Sequence, residues 1–523
     1  MRFKGFLAEV FLFPFHTKHL ITYCLIVSLS VLAAASSDAQ TTETDDTRQL
    51  IKQAEKLGRR GEIVEAEKIL RRVLEINPNE SKTKLNLANL LLKQRRLIEA
   101  YDLSVAVAKD EPKNSFAFAV LGATLLSAGN FRDANISFIN SLQLNKREAL
   151  AWAGLGTLDF YENRISESVE NLREAVYHAP DNPDFVFTLA QVSARAEKYK
   201  EAAAAYDIFL RISPLNDQER RDRIKGLVNF LRFLGNRQSL YNLSNKNQTN
   251  VSFKLINDRP VIQLKINKNA ELLNFVLDTG SGISVISQET AARLKIKAVT
   301  RGGLARAIGG DGKFEIVYGF LKSVSIGDVK INNVPIYIRQ FHSNTEKIDG
   351  YIGISLISKF LTTLDYGNLT FALKRKDLAE NQKTEGEILS LPLRLTSSGF
   401  LSGIVKLEGI EAPLNFIVDT GASISVISDE LAGTKELNRF VRSEKMRVIG
   451  AAGITEDVAS FLLPRVTFGS HSRESITAVA LDLNLINETS GFEQAGILGG
   501  NFLKNYRLTF DFANSKVIFV PIK

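Results

Sequence analysis

Cysteine is almost absent: the 523 residues contain one, Cys24, inside an apolar stretch near the start. Disulfides therefore cannot staple the fold, and once that stretch is removed, thiol nucleophiles and thiolate metal ligands are excluded too. Histidine is scarce. The five, His16, His19, His178, His342 and His471, show no His-x-x-x-His or Glu-x-x-His spacing, so zinc hydrolysis lacks its ligands, and no metal or other cofactor is expected. The net charge of +8 comes without a run of five basic residues and without basic-aromatic interleaving. No nucleic-acid partner is expected, and the excess charge reads as solvated surface. No Gly-x-Ser-x-Gly elbow with a following acid and histidine stands out, which removes the serine hydrolases.

An apolar run at 20–35 follows Arg2, Lys4 and Lys18 and ends among the small residues Ala33, Ala35, Ser37 and Ala39, the form of an export signal over residues 1–39. The run falls short of the roughly 20 residues a stable span takes, which favours cleavage near Ala35 or Ala39. The long Phe-rich stretch at 6–15 leaves a retained N-terminal anchor as the alternative. Either outcome puts the bulk of the chain across the membrane, periplasmic or extracellular, with membrane contact limited to that anchor. A chain of this length is expected to form several folding units.

From 47 to 234 the sequence repeats with a period of 34 residues. Proline stands at 78, 112, 180 and 214; one column of small residues reads Ala54, Ala88, Gly122, Gly156, Ala190, and a second reads Ala66, Ala100, Ala134, Ser168, Ala202. Small residues at two fixed places let paired antiparallel helices approach closely, and the proline closes each second helix. The pattern resembles the tetratricopeptide repeat, five times over with a capping helix. Such arrays form a concave groove that takes a peptide or a partner protein; the array as mere spacer or lid is the other reading. Residues 235–250, rich in Asn, Ser and Gln, show neither helical nor strand period and read as a linker.

Beyond it come two similar β-rich lobes, 251–385 and 389–523. Each carries a hydrophobic strand that delivers an aspartate into a glycine turn: Phe275-Val276-Leu277-Asp278-Thr279-Gly280-Ser281 and Phe416-Ile417-Val418-Asp419-Thr420-Gly421-Ala422. Identical Ile-Ser-Val-Ile-Ser runs follow at 283–287 and 424–428. Glycine-rich segments come 31 residues after each aspartate, at Gly309 and Gly450, and candidate flap residues are Ile308, Gly309, Gly310, Ile449 and Gly450. Later each lobe runs through an apolar pair into glycine, at Ile352-Gly353 and Leu498-Gly499, then a short helical stretch and a closing hairpin.

This order of features, present twice, resembles the retropepsin type of aspartic peptidase (clan AA), duplicated in one chain. The resemblance implies a multidomain protein: an all-α tetratricopeptide solenoid, then two all-β lobes forming a pseudo-dimeric acid-protease fold. It implies that Asp278 and Asp419 are catalytic and share a proton while activating water, that Thr279 and Thr420 brace the two loops, and that Gly280 and Gly421 admit close backbone approach. Ser281 is the pepsin-like choice, able to bond the outer oxygen of Asp278; Ala422 is the retroviral one and cannot. Asp278 is therefore expected to be the better stabilised anion. Gly282 and Ser423 replace the acidic residue that retroviral enzymes use to hold substrate backbone. The expected activity is endopeptidase action on protein or peptide substrates, with a protein partner in the repeat groove. A non-catalytic peptide-binding scaffold of the envelope, and lobes paired between two chains, are the alternatives.

Overall fold

The computed structural model describes residues 34–237, 239–343, 346–378 and 389–522. Residues 1–33 of the expected export signal lie outside the described residues. Among the described residues no helix is long and apolar enough to cross a membrane. The chain divides into two compact units, one reaching to Gly154 with 214–217 added, the other comprising 155–213 and 218–523.

The first unit is helical. Paired helices run from Ala34–Arg59 to Phe131–Leu144, and the small-residue columns explain their spacing. Ala66, Ala88, Ala100 and Ala134 have no exposure at all, and a Cβ on Gly122 would come within 2.7 Å of the Phe138 ring. Asparagine side chains cap two of these helices: Asn114 accepts from the Ala117 N–H and Asn130 from the Asp133 N–H, meeting backbone donors that a helix start leaves orphaned.

In the second unit the same columns continue. Ser168 Oγ donates to the Gly156 carbonyl at 2.6 Å, and Ala190 and Ala202 are fully buried. The last helix, Gln218–Gly235, does more than cap the array: its Phe230 and Leu234 belong to one continuous hydrophobic core with both β lobes. The Phe230 ring sits 4.7 Å from Tyr318, and Phe233 sits 5.4 Å from Phe320. The boundary between repeats and lobes expected at 235–250 is thus corrected. That segment contains the strands Asn242–Asn245 and Gln248–Ser252, each paired with a distant strand of the first lobe: Val329–Arg339 and Thr370–Arg375. An Asn- and Ser-rich strand carries little period of its own, and here its pairing partners define it.

Each lobe is built on one sheet, nine-stranded in the first and eight-stranded in the second. A six-stranded sheet joins them. At its centre Phe360–Asp365 and Tyr506–Asp511 run antiparallel with Thr363 opposite Thr509, their hydroxyls 3.1 Å apart. Outward on either side lie Thr370–Arg375 with Gln248–Ser252, and Lys516–Pro521 with Leu389–Pro392. The corresponding segment of each lobe thus occupies the corresponding place, and the lobes pair within one chain.

The capping helix meets the first lobe backbone to backbone. A Cβ on Gly226 would lie 2.2 Å from the Gly302 carbonyl oxygen. Alanine normally favours a helix interior over glycine by about 1 kcal/mol, but overpacking here costs about 1–3 kcal/mol. Gly226→Ala is therefore expected to lower the thermal midpoint of the full chain, by a net destabilisation of up to about 2 kcal/mol; an unchanged or higher midpoint would contradict this packing.

Candidate active site

The two aspartates stand at the ends of equivalent strands, Leu273–Leu277 and Leu414–Val418. Apolar burial on both faces fixes these strands, and each is hydrogen-bonded to a short parallel strand, Gly350–Ile352 or Gly496–Leu498. The loop that follows is pinned the same way twice. The Asp278 N–H donates to the Ile352 carbonyl at 3.0 Å and the Asp419 N–H to Leu498 at 2.9 Å; Ile354 N–H reaches Ser281 O at 2.8 Å, and Gly500 N–H reaches Ala422 O at 2.7 Å. Ser284 and Ser425, from the identical Ile-Ser-Val-Ile-Ser runs, accept the N–H of Gly353 and Gly499, both at 3.1 Å.

Thr279 and Thr420 cross-link the loops. The Thr279 N–H donates to Thr420 Oγ1 at 3.1 Å, and the Thr420 N–H to Thr279 Oγ1 at 3.0 Å. Each hydroxyl in turn donates to the opposite strand, Thr279 to the Val418 carbonyl at 2.6 Å and Thr420 to the Leu277 carbonyl at 2.7 Å. All four groups are buried, where an unmade hydrogen bond is costly. Gly280 and Gly421 are set by proximity: a Cβ on Gly280 would come within 2.4 Å of the Asp419 carboxyl, and one on Gly421 within 2.6 Å of the Asp278 carboxyl.

The two carboxyls hydrogen-bond to one another. Burial raises the Asp278 pKa, while the Ser281 hydroxyl at 2.6 Å, the shared bond to Asp419, the Gly280 N–H and the more distant Arg339 charge oppose the rise. Burial, the neighbouring Asp278 charge and the shared bond all push Asp419 well above its ordinary value, and the Gly421 and Ala422 N–H groups only partly offset this. Two like charges this close do not both ionise. The pair is therefore expected to retain a proton, and the Ser281 hydroxyl, which has no counterpart at Ala422, favours the charge on Asp278.

Both flap segments are hairpin tips. The first joins Ala298–Arg306 to Lys313–Ile326, the second Val441–Ile449 to Ile454–Phe468. The tips meet: the Ala452 N–H donates to the Ile308 carbonyl at 2.9 Å, and Gly309, Gly310 and Gly450 lie in the same contact. Ile449, half exposed, lines with Ile308 and Gly450 the cleft above the aspartates, a cavity of about 1340 Å³.

Residues 262–356 and 404–502 match the family described as aspartyl protease, and residues 154–217 match a tetratricopeptide repeat family. One chain thus carries a tetratricopeptide-repeat match and two aspartyl-protease matches. Similar solved structures include a thermophilic TPR protein of Thermus thermophilus, 18% identical over 36% of this chain and 99% of that one with a TM-score of 0.31. Others are the MamA RS-1 ArsTM double mutant (19%, 32% and 94%, 0.24) and the aspartic proteinase from Irpex lacteus (14%, 53% and 98%, 0.38). No curated protein matches the chain.

Sequence reasoning missed what surrounds the two aspartates. The repeats contribute to the cleft directly, through Phe160, Phe187, Gln191, Arg195 and Tyr199. Arg195 Nη2 donates to the Thr396 and Ser397 carbonyls at 3.1 and 3.2 Å, and this loop of the second lobe presses on Gly282, where a Cβ would meet Ser398 O at 2.4 Å. Arg339 Nη1 donates to Ala451 O, at the second flap tip, at 2.5 Å. Among 66 lysines and arginines nothing in the sequence singles these two out. Ser284 and Ser425 were missed as well, though the duplicated runs at 283–287 and 424–428 carry a signal for them.

The raised pKa of Asp419 is also a statement about stability. Its proton is retained in the folded chain and released from the unfolded chain above about pH 4, so this group's contribution is fully present below that pH and is lost as pH rises toward its folded value. Asp419→Asn keeps the shape and a donor to Asp278 but cannot ionise. It is expected to raise the melting temperature relative to the parent at neutral pH, with the gap closing toward about pH 4; parallel curves across that range would refute the assignment.

Proposed function

We propose that the chain is an aspartic-type endopeptidase, in which Asp278 and Asp419 are the catalytic pair and act on protein or peptide substrates. The observation that carries this is the pair of aspartates brought together by the crossed threonine loops beneath meeting flap tips, where like charges so close retain one proton between them. Such a pair has both halves of the chemistry. The Asp278 carboxylate takes a proton from water as the water oxygen bonds to the scissile carbonyl carbon, and the Asp419 carboxyl gives its proton to the carbonyl oxygen. Collapse of the resulting diol breaks the C–N bond, and the nitrogen leaves with a proton returned from the pair. Gly280, Ser281, Gly421 and Ala422 hold the carboxyls in place, Thr279 and Thr420 brace the loops, and the flap residues pair with an extended substrate backbone.

The apolar run at 20–35 supports an exported chain, acting in the periplasm or outside the cell, and the repeats support a role in substrate or partner recognition. The match to the aspartyl protease family supports hydrolase chemistry in general.

The test is cleavage of an unstructured protein mixture by the full chain between about pH 3 and 7, the range in which one carboxyl of such a pair is ionised. Asp278→Asn and Asp419→Asn are each expected to reduce kcat/KM by about 10³-fold or more. A parent that cuts nothing while fully folded would leave the non-catalytic peptide-binding scaffold as the reading. In the same assay Ser281→Ala removes a donor to the Asp278 anion, so its pKa rises and the acidic limb of the pH-rate profile moves to higher pH. A profile superposing on the parent would contradict the asymmetry.

A further inference from the structure

Seven arginines line the cleft, and five of them are neutralised locally. Arg164 pairs with Asp159 and Glu162, Arg223 with Glu219, Arg259 with Glu346, Arg306 with Glu219 and Glu488, and Arg447 with Glu456. Arg195 and Arg339 have no carboxylate ion-paired to them among the described residues. Their protein contacts are to carbonyl oxygens, Thr396 and Ser397 for one and Ala451 for the other.

Both side chains lie against aromatic rings. The Arg195 guanidinium lies 3.9 Å over the Phe160 ring; that of Arg339 stands 5.3, 5.2 and 5.9 Å from the rings of Phe314, Phe341 and Tyr351. Stacking of this kind orients the planar fork but leaves its charge unneutralised. Burial lowers the Arg195 pKa to about 10, so the group is still cationic at neutral pH. A half-buried cation without a paired carboxylate is an unfavourable arrangement that a carboxylate relieves, because the two oxygens of a carboxylate match the guanidinium fork.

We propose that Arg195 and Arg339 are specificity-determining residues of the cleft and select peptides with aspartate or glutamate side chains near the segment lying over the aspartate pair. One of the two cations comes from the helical repeats, so the array supplies part of the substrate site itself. The inference rests on the cleft being the peptide site, as proposed above, but does not require that bound peptide be cut.

The test uses the full chain as Asp419→Asn, which leaves the Asp278 charge in place. The immobilised protein is offered a mixed library of peptides blocked at both ends, and the retained pool is sequenced. We expect Asp and Glu to be enriched several-fold over Asn and Gln. The enrichment should fall toward unity in Arg195→Met/Arg339→Met, persist in part in Arg195→Lys/Arg339→Lys, and weaken with added salt. A parent pool without acidic enrichment, including a library from which nothing is retained, would overturn the proposal, as would enrichment unchanged in the methionine variant. That parent result decides the matter even if the methionine variant fails to fold. Retention confined to a second library with free C-termini would overturn it too, by assigning the cations to a terminal carboxylate. An active-site parent that does not cut peptides its Asp419→Asn form retains selectively would refute the peptidase reading and leave this inference standing.

Discussion

The site depends on holding two carboxyls side by side, Asp278 buried and Asp419 half-buried, with no carboxylate-to-cation ion pair on either among the described residues. Left to themselves, two such carboxylates would separate. Here separation would break the crossed threonine network, in which each hydroxyl accepts the opposite N–H and donates to the opposite strand. It would also disturb the antiparallel pairing of Phe360–Asp365 with Tyr506–Asp511. With the loops fixed by packing and hydrogen bonds that ignore charge, the pair responds in the one way left to it and keeps a proton.

Duplication alone would leave that proton undecided between equivalent partners. The structure breaks the equivalence on one side, through the Ser281 hydroxyl 2.6 Å from Asp278 and the Arg339 charge, while Ala422 gives Asp419 no matching side-chain donor. A modest difference in hydrogen bonding is enough to settle the proton, because the two states compete directly in one desolvated site. Symmetry of the scaffold and asymmetry of the chemistry thus come from different residues: the threonines and glycines repeat, and position 281 against position 422 does not.

Much of this is legible in the sequence because it is written locally. The small-residue columns at a 34-residue step report helix approach within one repeat, and Asp-Thr-Gly after a buried apolar strand reports a loop whose geometry its own residues impose. The contacts that were not legible join segments far apart along the chain. Residues 242–252 are strands because other strands accept them. Phe230 and Leu234 look like the inner face of a capping helix and are also part of the lobe core. Arg195 acquires its meaning from a loop some two hundred residues later, and no periodicity in a single chain encodes such a meeting.

The same long-range contacts constrain how the cleft can open. The outer strand of the first flap, Ala298–Arg306, is fastened to the capping helix by the Gly226–Gly302 approach. It is also fastened through Arg306, 5% exposed, to Glu219 of that helix and Glu488 of the second lobe. A hinge at the base of this hairpin would break an ion-pair cluster and a backbone contact together, whereas movement of the tip beyond Arg306 breaks neither. The second flap has no such helix on its outer strand, most of whose residues are exposed; at its tip it is tied to the first lobe by the Arg339 bond to Ala451 and the Ala452 bond to Ile308. Parting the flap tips therefore requires release of the Ala452–Ile308 bond, and lifting the second flap requires release of the Arg339–Ala451 bond as well.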